Sequence, residues 1–121
     1  MLRRPIMYLE RPDFTSDGNL VPRLLKSPVF VMFQADFCGH CTVAKPVFQA
    51  LANEGLVRCM TVQGDGDRQS ERDIIPLLRT IYPGFQGYPS YMLFKPDGTR
   101  IPYTGKRDLV SLRKFVMSNI N

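Results

Sequence analysis

The run Val29-Phe30-Val31-Met32-Phe33, closed by Gln34, leads into Cys38-Gly39-His40-Cys41 with only three residues between. A continuous apolar run rich in β-branched and aromatic residues is the pattern of a central strand buried on both faces. From His40 to Glu54 the apolar positions Val43, Val47, Phe48, Leu51 and Ala52 follow helical spacing, and Gly55 stops the helix. Pro46 lies inside it and removes one backbone donor. The two cysteines therefore sit where a buried strand turns into a helix, and the rest of the fold has to accommodate that junction.

The remaining chain supplies the other elements. Ile6–Leu9 reads as a first strand, 11–19 has loop composition, and a short helix is expected over 20–26. Leu56–Val62 reads as a strand and 64–67 as a loop. Ser70–Tyr82 reads as a helix shortened or broken by Pro76. Tyr91–Phe94 and Thr99–Tyr103 read as strands joined by the turn Lys95-Pro96-Asp97-Gly98, in which proline presets φ and glycine accepts a positive one. A last helix starts at Asp108, with Leu109, Leu112, Phe115, Val116 and Ile120 as its buried stripe. Strands joined through helices are expected to be parallel and the late hairpin antiparallel. The expectation is an α/β chain with a mixed central sheet and helices on both faces, residues 1–121 forming one domain.

The chain has 3 cysteines, too few for a disulfide scaffold, and a single histidine. A C-x-x-C in an α/β pattern points to redox chemistry or to half of a metal site; two core cysteines are the plain alternative. Zinc needs four ligands, and Cys38, Cys41, Cys59 and His40 are the whole stock of Cys and His. Cys59 falls in an expected strand, so convergence on zinc is not expected, and no metal or other cofactor is called for. The net charge of +5 comes from basic residues that are spread out, and no nucleic-acid partner is expected. No apolar run approaches the roughly 20 residues of a membrane span, and no signal-peptide core is seen. A protein soluble on its own, with a cytoplasmic location favoured, is the reading.

The chemistry follows from position. At a helix N-terminus, free backbone N–H groups and the macrodipole favour an anion, which lowers a thiol pKa from about 8.5 toward roughly 3.5–7.5. Cys38 is the expected exposed nucleophile. Cys41, one turn deeper on the same helical face, is the expected resolving thiol. His40, when protonated, stabilises the Cys38 thiolate, hence the reduced form. Cys59 reads as a small core residue.

The element order and four motifs resemble the thioredoxin superfamily, in particular protein disulfide isomerase domains. Phe37-Cys38-Gly39-His40-Cys41 is similar to their WCGHC, with Phe37 in place of tryptophan. Pro46 matches the kink proline of the active-site helix. Gly87-Tyr88-Pro89-Ser90 resembles the segment that carries the family's cis-proline, and Tyr103–Arg107 the Y-x-G-x-R stretch. The resemblance implies a thioredoxin fold and thiol–disulfide exchange through a Cys38–Cys41 disulfide. It implies a substrate face formed by Phe37, Gly39, Tyr88 and Pro89. It also implies an arginine, Arg107, that approaches the site and assists the second cysteine; a surface cation is the equal alternative. Its partners are protein thiols and disulfides, with glutathione or a reductase supplying electrons to a monomer. Met32 stands where the family buries an acid that relays the proton of the second cysteine. Met32 thereby favours a different class of function, a weakly active binding module that holds a partner near Tyr88-Pro89. A glutaredoxin reading lacks its CPYC-type motif. Single-domain oxidoreductases encoded by large DNA viruses also fit the resemblance.

Overall fold

The computed structural model describes residues 3–121; Met1 and Leu2, the first two residues of the expected domain, lie outside the described residues. Five strands form one mixed sheet in the order β1-β3-β2-β4-β5. They are β1 (Met7–Tyr8), β2 (Val29–Gln34), β3 (Arg58–Gln63), β4 (Ser90–Phe94) and β5 (Arg100–Tyr103). β3 runs parallel to both β1 and β2, whereas β4 runs antiparallel to β2 and β5 antiparallel to β4. The helices are α1 (Gly39–Asn53), α2 (Gln69–Arg72), α3 (Leu78–Ile81) and α4 (Leu109–Asn119).

β2 explains the two-sided architecture. Every residue of it is buried. Alternation sends Val29, Val31 and Phe33 into one core, with Leu9, Ile74, Leu78 and Ile81. It sends Phe30 and Met32 into the other, with Phe48 and Leu51 of α1 and Leu112 and Val116 of α4. Helices on both faces of a mixed sheet are thus the observed arrangement. The Lys95–Gly98 turn forms as expected: the Gly98 N–H donates to the Lys95 carbonyl at 2.9 Å, and Gly98 takes φ +92°.

Several boundaries differ from the sequence expectation. The first strand shrinks to Met7–Tyr8, because only those two residues pair with β3. The helix expected over 20–26 is a single 3₁₀ turn, Pro22–Leu24, and another such turn, Arg11–Asp13, lies in the expected loop. β3 begins at Arg58, because Gly55 at φ +73° turns the chain and leaves Leu56 exposed before pairing starts. The helix expected over 70–82 divides into α2, a 3₁₀ turn holding Pro76, and α3, since proline cannot donate within a continuous helix. The buried stripe of α1 is Cys41, Ala44, Phe48, Leu51 and Ala52, whereas Val43 is 73% exposed. Small residues let the start of α1 lie close to the sheet, and Val43 faces away. On α4, Leu112 and Val116 are fully buried, while Leu109, Phe115 and Ile120 are half-buried at the margin of the same core.

Candidate redox site

β2 ends at Gln34 and the chain turns at once, the Cys38 N–H donating to the Ala35 carbonyl at 3.3 Å. Asp65, in the loop after β3, holds this turn from the side. Its carboxylate accepts the Asp36 N–H at 2.9 Å and the Phe37 N–H at 3.3 Å. Burial pushes the Asp65 carboxyl up, but these hydrogen bonds together outweigh it and hold the group below its ordinary value. Lys45 of α1 closes the other side with an ion pair to Asp36 at 3.0 Å. Neither Asp65 nor Lys45 stood out in the sequence. The only signal for Asp65 was a Gly-Asp-Gly-Asp loop, the kind of short polar side chain that captures backbone N–H groups.

Cys38 is the N-cap of α1. Its backbone is extended, at φ −97° and ψ 112°, and its sulfur accepts the Cys41 N–H at 3.2 Å. The thiol is half-buried and points its Sγ at the Tyr88 carbonyl, 3.4 Å away. Hydrogen bonding with the Cys41 side chain lowers its pKa most. Burial, the next largest influence, opposes this, and the backbone N–H groups of Cys41 and His40 and the charge of Arg107 reinforce the lowering. Cys41 is fully buried and its thiol is pushed up to about 11, first by burial and then by the neighbouring Cys38. A backbone hydrogen bond from Ala35 and the charge of Lys45 act in the opposite direction. Two thiols one helical turn apart thus occupy opposite environments, one half-buried with its pKa lowered, the other buried with its pKa raised. All three cysteines are free thiols here.

Phe37 is 78% exposed and sets its ring edge-on to Tyr88 at 6.0 Å. Gly39 is open to solvent, with nothing within 4 Å of where a Cβ would stand. The Tyr88-Pro89 bond is cis, and Pro89 is buried. Tyr88, Pro89, Tyr91, Tyr103 and Arg107 line a groove of about 490 Å³. Arg107 also borders a second groove of about 500 Å³ with His40, Val43 and Val47. The Tyr103 hydroxyl donates to the Lys106 carbonyl and ties down the loop that carries Arg107. The expected site residues therefore gather at one end of the sheet, with His40 exposed on the first turn of α1. Met32 is 1% exposed, and its register neighbours are Thr61 on β3 and Tyr91 on β4. Thr61 donates to the Met32 carbonyl at 2.7 Å and accepts from the Gln34 amide at 2.8 Å.

Cys59 lies apart on β3, buried, its thiol pushed up to about 12. Among the described residues no three His, Cys, Asp or Glu side chains converge on a metal position, and no helix is long and apolar enough to cross a membrane. The difference between the thiols has a direct readout. Brief iodoacetamide treatment near pH 6 is expected to label Cys38 before Cys41 and Cys59, as read by peptide mass spectrometry. First labelling of Cys59 would remove Cys38 as the nucleophile.

Comparison with known proteins agrees with this geometry. A thioredoxin-like protein of Invertebrate iridescent virus 6 is 35% identical over 130 aligned positions, covering 94% of each chain. Protein disulfide-isomerase 2-3 of Arabidopsis thaliana is 29% identical, over 96% of this chain but 24% of its own length. The chain thus spans about a quarter of that disulfide isomerase. Among solved structures, the J-Trx1 fragment of ERdj5 superposes with a TM-score of 0.71 at 26% identity, covering 95% of this chain and 51% of the fragment. Thioredoxin f from spinach chloroplast shares the fold, with a TM-score of 0.68 at 17% identity over 98% and 96% of the two chains. The Thioredoxin family model matches residues 14–118. With a paired thiol site at the end of the central strand and a cis-proline facing it, the chain belongs to the thioredoxin family.

Proposed function

We propose that residues 1–121 work as one monomeric unit that exchanges disulfides with protein substrates through Cys38 and Cys41. The observation that carries this reading is geometric: half-buried Cys38 caps α1 with its sulfur accepting the Cys41 N–H at 3.2 Å, while Cys41 lies fully buried one turn on. In the first step the Cys38 thiolate forms a bond to one sulfur of a substrate disulfide, and the other sulfur leaves as a thiolate and takes up a proton. In the second, Cys41 loses its proton and attacks the Cys38 sulfur, forming the Cys38–Cys41 disulfide and releasing the second substrate thiol. The substrate gains two electrons and the dithiol loses them; run backwards, the same steps oxidise a substrate. Glutathione or a reductase restores the starting state, and a cytoplasmic setting fits this supply.

The open face at Gly39, the exposed Phe37 ring and the Tyr88-Pro89 segment support binding of an extended substrate chain beside Cys38. The buried Met32 favours a second reading, a slow module that binds a partner in that groove. Equilibration in glutathione buffers separates the two. A measurable reduction potential together with catalytic turnover of a protein disulfide supports exchange, and partner binding without turnover supports the module.

His40 tunes the direction. Its backbone N–H acts on the Cys38 sulfur, and its imidazole is exposed on the same turn. Replacing it with proline, which helix starts tolerate, removes both groups and destabilises the reduced form. His40→Pro is expected to lower the reduction potential by about 30 mV or more, equivalent to about 1.4 kcal/mol. An unchanged or higher potential would refute this role.

A further inference from the structure

Tyr91 carries a buried polar atom that the exchange reaction as described leaves unused. It is 2% exposed on β4. Its ring stacks on Phe30 at 5.7 Å, tilts against Phe48 of α1 at 6.1 Å and meets Tyr103 edge-on at 6.1 Å. Among the described residues its hydroxyl has no hydrogen-bond partner. A phenylalanine would pack the same ring without forfeiting the hydration of an oxygen, so the hydroxyl calls for an explanation.

Its position supplies one. Strand register sets Tyr91 beside Met32, in the core that α1 covers. Cys41, Ala44 and Phe48 form the buried stripe of α1, and Phe48 touches the Tyr91 ring. Tyr91 also shares with Pro89 and Arg107 the groove that opens at the active-site end. We propose that Tyr91 is a catalytic residue for the second step, its hydroxyl donating a hydrogen bond to the Cys41 sulfur as that sulfur becomes a thiolate. The inference rests on the exchange reaction proposed above.

The chemistry favours such a bond at that moment and not before. A neutral thiol is a weak acceptor, whereas an O–H donor to an anion makes a short, strong, charge-assisted bond, more so in a dry site. Three groups act on the Tyr91 hydroxyl after burial: Arg107 from the loop before α4, Cys41 from α1 and Tyr103 from β5. Burial pushes its own ionisation up to about 12, so it remains a donor throughout the neutral range. Cys41 in turn feels Cys38, Lys45 and a backbone hydrogen bond from Ala35. The phenol keeps its proton during the step. The bond between Cys38 and the substrate sulfur breaks, the Cys38–Cys41 bond forms, and the proton lost by Cys41 ends on the departing thiol.

Dithiobis-nitrobenzoate tests the proposal in stopped flow, because each step releases one coloured nitrothiobenzoate. The first release depends on reagent concentration and reports Cys38. The second does not, and reports the attack by Cys41. In Tyr91→Phe, which keeps the ring, the first phase is expected to be unchanged. The second is expected to slow about tenfold at pH 7, with its midpoint moved about one pH unit upward. A second phase whose pH profile superimposes on that of the wild type would overturn the proposal, as would equal slowing of both phases. If the wild type releases only one equivalent, the exchange reaction itself fails and the role of Tyr91 falls with it. Two wild-type releases with no Tyr91→Phe effect remove the Tyr91 proposal alone.

Discussion

Cys41→Ser is expected to stop the reaction at the mixed disulfide. Serine keeps the size of the fully buried side chain but has no sulfur to attack the Cys38–substrate bond. Release then depends on thiols from solution. Well-oriented intramolecular reactions reach effective molarities of about 10⁵ M or more, so millimolar glutathione is a poor substitute and release slows by at least about 1000-fold. Covalent adducts are expected to accumulate on Cys38, to appear on non-reducing gels and to vanish with dithiothreitol. The double variant Cys38→Ser/Cys41→Ser is expected to form none. Adducts that persist in the double variant, carried by Cys59, would overturn the division of labour between the two site cysteines.

Met32→Glu is expected to produce the largest change in stability, with a definite pH dependence. The residue lies in the core of Phe30, Phe48 and Leu51. Burial disfavours the carboxylate, so the folded-state pKa rises above the unfolded value of about 4.3. A group raised on folding costs no ionisation energy below its unfolded pKa, and the cost grows as pH rises through the gap. Every tenfold weakening of the acid on folding costs about 1.4 kcal/mol, and buried glutamates reach pKa values of about 8–9, so the penalty at neutral pH approaches about 4 kcal/mol. The melting temperature of the variant should fall progressively behind the wild type between about pH 4 and pH 8. Met32→Leu, which nearly conserves volume, should lose less than about 1.5 kcal/mol at any pH.

The same variant is expected to resolve mixed disulfides faster as the pH rises toward 8, because the growing carboxylate fraction in the core under α1 takes up the proton that Cys41 loses. The gain should be about tenfold, below the usual 10²–10⁴ of general-base catalysis, since the carboxylate's charge also opposes the thiolate. A Met32→Glu protein with a pH-independent stability deficit would show that the side chain escapes to solvent.

How much of this was legible in the sequence depends on the range of the interaction. β2, the C-x-x-C and α1 were readable because each rests on local periodicity and on one strand-to-helix junction. The Lys95–Gly98 hairpin was readable because its turn chemistry is contained in four residues. Val43 misled because an apolar count cannot tell that Cys41 and Ala44, the smaller side chains, are the ones facing the sheet. The grip of Asp65 on Asp36 and Phe37 spans nearly thirty residues of chain and exists only once β3 lies beside β2. The Tyr91 hydroxyl was hidden for the opposite reason. In sequence it is one aromatic of an ordinary strand, and only its missing partner in the folded core sets it apart.

The strand order has a consequence for how the molecule breathes. β2 has a paired neighbour on each side along its length, whereas β1 holds the sheet edge with two residues and β5 the other edge with Pro102, which has no N–H to donate. Local opening draws on regions with few buried contacts, so fraying is expected to begin at these margins and to reach β2 last. The turn bearing Cys38 is anchored directly to the end of β2. Amide hydrogen exchange is therefore expected to be slowest along β2, the strand from which the thiol pair is hung.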